Sequence, residues 1–499
     1  MSAPFFIGLD AGTSLTKAAI FDLSGVQVGE AQARTTLYRP HFGWSELDPD
    51  EAWEATTDVL GRVVANSGID PSDIAGIGLS AAMVGAWIVD GDGKALRPGI
   101  TWEDSRAQPL IEAHMARDPQ FMSRIFNSSG SVMQQGCTLP VLAWLAQNEP
   151  AVLDAARYVF SYKDYLRFRL TGLAATDRSE ASVIPGSAAT RTRSAEMISL
   201  FGLEAQAHLL PPIRDSETFI GGLSAIAARH IGLPEGLPVC VGAGDVAATV
   251  IGAGGLAAGT ATAVLGTTCM VGVVHDRPVF APSDLGLLFT LPGERWYRAM
   301  VNVAGTLNLD WAFCALAPDL AARPDRFELA SQMLLDTPEG AHGLTYLPYL
   351  SESGIIAPRV DPIARAQFVG LTPRHDRALL FRAVFEGVAF AMRDLFDLLD
   401  FSGDRVLLTG GGAQNSLWTQ MICDLIGTPV EVPHGSQFGA RGAALLAATA
   451  AGQFATINSA SATVAGKGRL FEPDRASAAR LAPALARYRE ARDRLLGIT

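Results

Sequence analysis

Phe5-Phe6-Ile7-Gly8-Leu9-Asp10-Ala11-Gly12-Thr13-Ser14-Leu15-Thr16-Lys17-Ala18-Ala19-Ile20-Phe21-Asp22 is the stretch whose reading decides the plan of this chain. The apolar run from Phe5 to Leu9, a turn at Gly12-Thr13-Ser14 and a second run from Lys17 to Asp22 predict a β-hairpin. A third strand is expected near Val26 to Ala33. The turn places a carboxylate, Asp10, at a strand end beside small residues and hydroxyls. Such turns offer N–H and O–H donors to phosphate oxygens, Lys17 would add a positive charge, and Asp10 could hold Mg²⁺ together with waters. The same pattern is also ordinary hairpin chemistry, so the turn alone leaves both readings open.

Beyond the hairpin, Asp48-Pro49-Asp50-Glu51 is an acidic helix start with an early proline, followed by a helical apolar stripe at Trp53, Thr57, Leu60 and Val64. Ile74 to Leu79 and Ala86 to Val89 read as buried strands, the second ending in the turn Asp90-Gly91-Asp92-Gly93. The order recurs after Gly259. Thr260 to Leu265, a Gly266-Thr267-Thr268 turn and Met270 to Val274 form a second hairpin, with a later strand over Trp296 to Val303 and a long helix over Phe381 to Leu399. The recurrence predicts two α/β domains of related plan, residues 1–253 and 254–499, against the alternative of two unrelated α/β domains. The Ala/Arg/Leu-rich tail from Ala476 is expected to be a surface helix.

A length of 499 residues exceeds what one core usually organises, which agrees with more than one domain. The chain is 48% apolar and 18% charged, a globular composition. A net charge of -12 argues against nucleic acid as a partner. Five dispersed cysteines without a C-x-x-C pair fit a reducing cytoplasm. The N-terminus carries no basic segment followed by a long apolar one, so no secretory signal is expected. Val246 to Val274 is uncharged and long enough to span a bilayer, but its glycines and its alternating Thr/Val/Leu pattern predict a buried helix followed by the second hairpin. No membrane partner is expected, and a homodimer is left open.

Two further segments carry chemistry. Leu407-Leu408-Thr409-Gly410-Gly411-Gly412-Ala413-Gln414-Asn415 runs from an apolar strand into glycines and a helix. Backbone there can pass close to a flat base, or simply pack a helix against a strand. In Gly242-Ala243-Gly244-Asp245-Val246 a single carboxylate precedes an uncharged helix. Asp245 either caps that helix or faces a cleft, where it could accept a hydroxyl proton during phosphoryl transfer. No P-loop pattern is present.

Taken together, these segments resemble the FGGY carbohydrate kinases of the actin-like ATPase superfamily. IGLDAGTSLTKAAIFD is similar to that family's first phosphate loop and GWSELDP to its early loop. TWEDSRA resembles its W-x-D-x-R segment, and KDYLRFRLTGLAATDRSEAS its K-D-Y-L-x-x-x-L-T-G-x-x-x-T-D stretch. VGAGDVAATVIGAG is similar to the segment with the catalytic aspartate, VLGTT to the second phosphate loop, LPYLSESG and FVGLTPRHDRA to the linker region, and LLTGGGAQNSLWTQMICDLIG to the adenosine motif.

The resemblance implies two ribonuclease H-like domains with a cleft between them, binding ATP with Mg²⁺ and a small ketose or polyol, xylulose being the nearest. It implies Asp245 as general base and Asp10 near the metal. Thr13, Ser14, Lys17, Gly266, Thr267 and Gly305 would lie at the nucleotide's phosphates, with Gly411, Gly412 and Asn415 at adenosine. Where xylulokinases carry Gln-Met-His-Gly, the stretch here is Ser80-Ala81-Ala82-Met83-Val84-Gly85-Ala86-Trp87, so Asp104 and Arg106 are the better candidates for sugar contacts, with Met83, Trp87 and Trp102 lining the pocket, against the alternative of a surface Asp-Arg pair and two core tryptophans. Val141 also departs from the family's pattern, which has a lysine there. Kinases for gluconate, which would need a cation such as Arg106, or for a tetritol are alternatives. So is a nucleotide-dependent switch ATPase without sugar kinase activity.

Overall fold

The computed structural model describes residues 4–133, 136–183, 185–302, 304–351, 354–361 and 363–498. The opening hairpin forms as predicted, from β1 (Phe5–Ala11), β2 (Leu15–Phe21) and β3 (Gln27–Arg34). β4 (Ile74–Ala81) lies parallel to β1, and the chain returns much later to add β5 (Phe219–Gly222), β6 (Pro238–Cys240) and β7 (Ala243–Gly244). The sheet runs β3-β2-β1-β4-β6-β5, with β7 pairing the far end of β4. β1 and β4 are buried along nearly their whole length, as central strands covered on both faces must be.

A second sheet combines β8 (Ala261–Leu265), β9 (Cys269–His275), β10 (Leu287–Leu291), β11 (Arg295–Asn302), β12 (Val406–Thr409), β13 (Val430–Val432) and β14 (Arg469–Phe471) in the order β10-β11-β9-β8-β12-β13-β14. From β3 across the first sheet the pairings are antiparallel, antiparallel, parallel, parallel and antiparallel. From β11 across the second they follow the same sequence. The two halves thus share one plan, and β10 is an addition to the second. The expected strand over Trp296 to Val303 is observed as Arg295–Asn302; Val303 lies outside the described residues, as do Glu352 and Ser353 of the LPYLSESG segment.

α1 (Pro49–Ser67) starts where Asp48 accepts N–H bonds from Asp50 and Glu51 at 2.9 and 3.0 Å and stops at Gly68, in the left-handed region. The uncharged stretch after Asp245 resolves into α4 (Asp245–Gly252) and the β8–β9 hairpin. Among the described residues no helix is long and apolar enough to cross a membrane. Two expectations shift. Trp87–Val89 pairs with Tyr158–Phe160 outside both main sheets, and the tail helix, Arg475–Leu496, is more than a surface element because it buries Leu481 and Tyr488.

α9 (Phe438–Ala450) belongs to the second half in sequence but lies across the first sheet, close against β1 and β4. α9 also crosses α4 at small residues. A Cβ on Gly442 would stand 1.9 Å from the Ala248 carbonyl oxygen, so only glycine allows this approach.

Candidate active site

The parallel register of the first sheet brings two carboxylates to adjoining strand ends. Asp10 faces Ser80 across β1 and β4, and Gly244, on β7, pairs with Ala81, so Asp245 leaves the sheet one step further on. Carboxyl ends of parallel strands are where open α/β sheets carry their ligands. Ser80 Oγ donates to Asp10 Oδ1 at 2.9 Å, and the Val246 N–H donates to Asp245 Oδ1 at 2.8 Å. The first turn of α9 passes directly over Asp10: a Cβ on Gly439 would be 2.4 Å from Oδ2.

Burial governs the charge of both acids. It raises the Asp10 carboxyl above its ordinary range, with the Ser80 hydrogen bond and the Lys17 charge pulling the other way. Asp245 is pushed up to about 7, first by burial and then by the negative charge of Asp10, against the opposing N–H bond from Val246. A carboxylate tuned to the neutral range is suited to take up a proton from an alcohol and release it again.

Asp245 lines a cavity of about 250 Å³ that draws on both halves of the chain, with Met83, Trp102 and Met133 on one side and Thr268 and Met270 on the other. Thr13, in the first turn, borders a void of about 10 Å³ whose wall includes the same Met83 and Trp102. Met83 and Trp102 thus separate the first hairpin turn from the cavity that the second turn borders through Thr268. Behind the second turn, the Gly305 N–H donates to Thr267 O and the Thr306 N–H to Gly266 O, both at 2.7 Å. A Cβ on Gly410, whose φ is +92°, would come 2.5 Å from Leu265 O. These contacts join the Gly266 turn, Gly305 and the Gly410-Gly411-Gly412 bend into one backbone knot.

Beyond that knot lies a larger cavity, about 620 Å³, bordered by Thr306, Ser331, Gln332, Gly411, Gly412 and Asn415. Asn415 caps α8 (Ser416–Ile426) by accepting the Trp418 N–H, and its amide Nδ2 donates to Ser331 Oγ at 2.8 Å. The chain thus presents a roomy cavity behind a backbone knot and a smaller one, ending at a tuned acid, in front of it.

Comparison with known proteins agrees with this arrangement. Residues 5–252 match the N-terminal domain, and residues 261–451 the C-terminal domain, of the FGGY family of carbohydrate kinases. The chain belongs to this family. It is 33% identical to the xylulose kinase of Escherichia coli K12, over 89% of this chain and 90% of that one. It is 32% identical to the erythritol kinase of Brucella abortus, over 97% and 95%. The solved xylulose kinase of Rhodospirillum rubrum superposes with a TM-score of 0.87 at 28% identity, covering 99% of each chain. This FGGY kinase accordingly has the two-domain fold of the actin-like ATPases and is an ATP-dependent phosphotransferase acting on a carbohydrate hydroxyl.

The residues expected at the sugar divide. Met83 and Trp102 border the acceptor cavity. Asp104 and Arg106, expected at the sugar, do not border it and are instead buried in a network that holds the fold. Asp104 is wholly buried and accepts bonds from the Ser45 N–H, the Arg106 N–H and the Arg106 guanidinium, while Arg106 Nη2 also bonds Glu46 at 2.6 Å. The guanidinium lies 3.8 Å over the Trp44 ring and is buried; its Nε and Nη2 are bonded, and its Nη1 has no hydrogen-bond partner among the described residues. Trp87 is likewise a core residue of this FGGY kinase, stacked on Tyr162 and Tyr165 and bordering the small void beside Thr13. Of the nucleotide-side residues, Ser14 and Thr267 are exposed at their turns, and Lys17 stands opposite Asp10 in the β1–β2 register.

Sequence reasoning missed Ser80 and Gly439, two neighbours of Asp10. Neither has a local signature; Ser80 is identified only by parallel pairing, and Gly439 by the return of a helix more than 400 residues away.

Proposed function

We propose that this kinase transfers the γ-phosphoryl group of ATP to a hydroxyl of a small ketose or polyol, with xylulose the nearest acceptor and Asp245 the general base. The observation that carries this reading is the position of a carboxyl tuned to about 7 in the smaller cavity, against the second hairpin turn. Asp245 takes the hydroxyl proton as the sugar oxygen attacks, and Met83 and Trp102 form the wall behind the sugar. Thr13, Ser14, Lys17 and Thr267 hold the phosphates through hydroxyls and one ammonium, while Gly266 and Gly305, whose N–H groups bond Thr268 O and Thr267 O, shape the second turn against them. Gly411, Gly412 and Asn415 border the adenosine, for which the larger cavity has room. The domain division proposed is 1–253 and 254–499.

Asp10 suits Mg²⁺. Two neighbouring half-buried acids repel each other, which a dication relieves, and Mg²⁺ commonly takes only one or two carboxylates together with waters and phosphates. Bound there, the ion would neutralise charge on the transferred phosphoryl group. Gluconate loses support as acceptor because Arg106, the cation it would need, is already paired. A tetritol remains the second reading, favoured by the modest volume of the acceptor cavity and by the erythritol kinase relative.

The test is ADP release coupled to a screen of pentuloses, hexuloses, pentitols, tetritols and aldonates. A ketose or polyol that raises ADP release at least tenfold is expected. ATP hydrolysis indifferent to every sugar would replace this reading with that of a switch ATPase.

A further inference from the structure

The K-D-Y-L stretch and the T-D-x-S-E that follows it contribute nothing to either cavity wall through Lys163, Asp177, Ser179 or Glu180, yet all four side chains are buried. Lys163 lies on α2 (Tyr162–Thr171), while Ser179 and Glu180 lie on α3 (Arg178–Val183). Asp177 Oδ2 accepts the Ser179 N–H at 2.9 Å, the Ser179 hydroxyl at 2.6 Å and the Ser216 hydroxyl at 2.9 Å, and its Oδ1 stands 3.3 Å from Lys163 Nζ. A hydroxyl has one proton. Because Ser179 gives that proton to Asp177, its oxygen is left as an acceptor, and it takes the Gly244 N–H at 3.0 Å. Gly244 is the residue before Asp245. Lys163 Nζ and Arg167 Nη1 also bond the Val241 carbonyl, at 3.3 and 3.2 Å, so the segment leading to Asp245 is held at both ends.

The neighbouring residue acts on the opposite wall. Glu180 Oε2 accepts the Val84 N–H at 3.0 Å. Val84 has φ +58°, a conformation a β-branched residue adopts only when its surroundings enforce it. Its predecessor Met83 borders the acceptor cavity with Asp245, and a Cβ on Gly244 would be 2.5 Å from the Met83 side chain.

We propose that Ser179 and Glu180 are positioning residues for the phosphoryl transfer. Ser179, backed by Asp177 and Lys163, fixes the peptide that aims the Asp245 carboxylate, and Glu180 fixes the Met83–Val84 wall against which the sugar lies. The two consecutive residues thereby set the gap between base and acceptor. This rests on the reading of Asp245 as base, and it separates two kinetic effects: losing the Ser179 contact lowers kcat, and losing the Glu180 contact raises the sugar KM. Small displacements of a reacting group cost rates of this order, because the approach geometry is narrow.

The experiment compares Ser179→Ala, Ser179→Thr, Glu180→Ala and Glu180→Gln in the full-length chain, with the best acceptor from the sugar screen. Ser179→Ala is expected to lower kcat by about 10- to 100-fold with the ATP Kd changed less than about threefold, and Ser179→Thr, which keeps the hydroxyl, to recover most of it. Glu180→Ala is expected to raise the sugar KM about tenfold, and Glu180→Gln, which keeps an acceptor oxygen, to stay within about threefold. Combining Ser179→Ala with Asp245→Asn should cost no more than Asp245→Asn alone, since one acts through the other.

Additive losses in that double variant, or a Ser179→Ala enzyme with normal kcat, would overturn the proposal while leaving the base assignment intact. Near-normal turnover in Asp245→Asn alone would instead overturn the base assignment. If Ser179→Ala does not fold, failure of Glu180→Ala to move the sugar KM still refutes the second arm, and an inactive Ser179→Thr that binds ATP refutes the first.

Discussion

Replacing Asp245 by Asn separates what this carboxylate does for the reaction from what it costs the fold. The amide is nearly isosteric and can still accept the Val246 N–H. Sugar-dependent turnover is expected to fall at least 1,000-fold, consistent with about 4 kcal/mol of lost transition-state stabilisation, while ATP binding persists. Stability should move the other way. With a folded pKa of about 7 against 3.8 for the free group, the folded protein holds a proton that the unfolded chain has already released. Below the lower value both states are protonated and Asp245 costs nothing. Stability then falls as pH rises, until the folded carboxyl also ionises near 7.

Between about pH 5.5 and pH 8 the wild type therefore loses about 2 kcal/mol that the Asn variant keeps, taking roughly 1.4 kcal/mol per pKa unit over the interval up to 7. Whatever constant penalty the amide introduces cancels from this difference. Because Asp245 keeps partial contact with the cavity, the figure is a ceiling. The assay is denaturant unfolding of both proteins at the two pH values. A stability difference that does not widen with pH would refute the claim that the carboxylate is desolvated, even if the variant is inactive.

Gly442→Ala forces a Cβ to within 1.9 Å of the Ala248 carbonyl, so the α4–α9 crossing must open, with a loss of about 3 kcal/mol or more in unfolding free energy measured by denaturant. Arg106→Lys keeps a positive charge but not the planar fork that bonds Asp104 and Glu46 together, so the melting temperature should drop while the sugar KM stays within about twofold. A KM rise of tenfold or more would return Arg106 to the sugar site. Asn415→Ala removes the cap of α8 and the bond to Ser331; about 1 kcal/mol of stability should be lost, and the ATP KM should rise in steady-state kinetics.

Both hairpins, the acidic helix start at Asp48 and the position of the acid at 245 were legible in the sequence because each is written in neighbouring residues: a strand, a turn with its hydroxyls, a carboxylate at the head of a helix. The shared plan of the halves was visible only as an order of elements, and the identical sequence of strand pairings gives it content. Asp104 and Arg106 were misread as sugar contacts for the converse reason. Whether an Asp-x-Arg pair binds a ligand or a neighbour depends on Glu46 and Trp44, about 60 residues upstream, which close over the guanidinium. Spacing within the motif carries no information about that.

Asp10 and Asp245 belong to one electrostatic unit, since burial raises both and the charge of Asp10 raises Asp245 further. Removing one charge should therefore change the titration of the other. In an Asp10→Asn background the repulsion is gone, so Asp245 should ionise at lower pH, and the pH at which the stabilising effect of Asp245→Asn levels off should move below about 7. The direction is fixed by Coulomb's law, and a cation placed at Asp10 would act in the same sense. Comparing the unfolding free energies of the Asp10→Asn and Asp10→Asn/Asp245→Asn proteins across pH measures the shift. If the levelling point stays where it is in the wild-type background, the two carboxylates do not sense each other, and a dication at Asp10 could not release the proton held by Asp245.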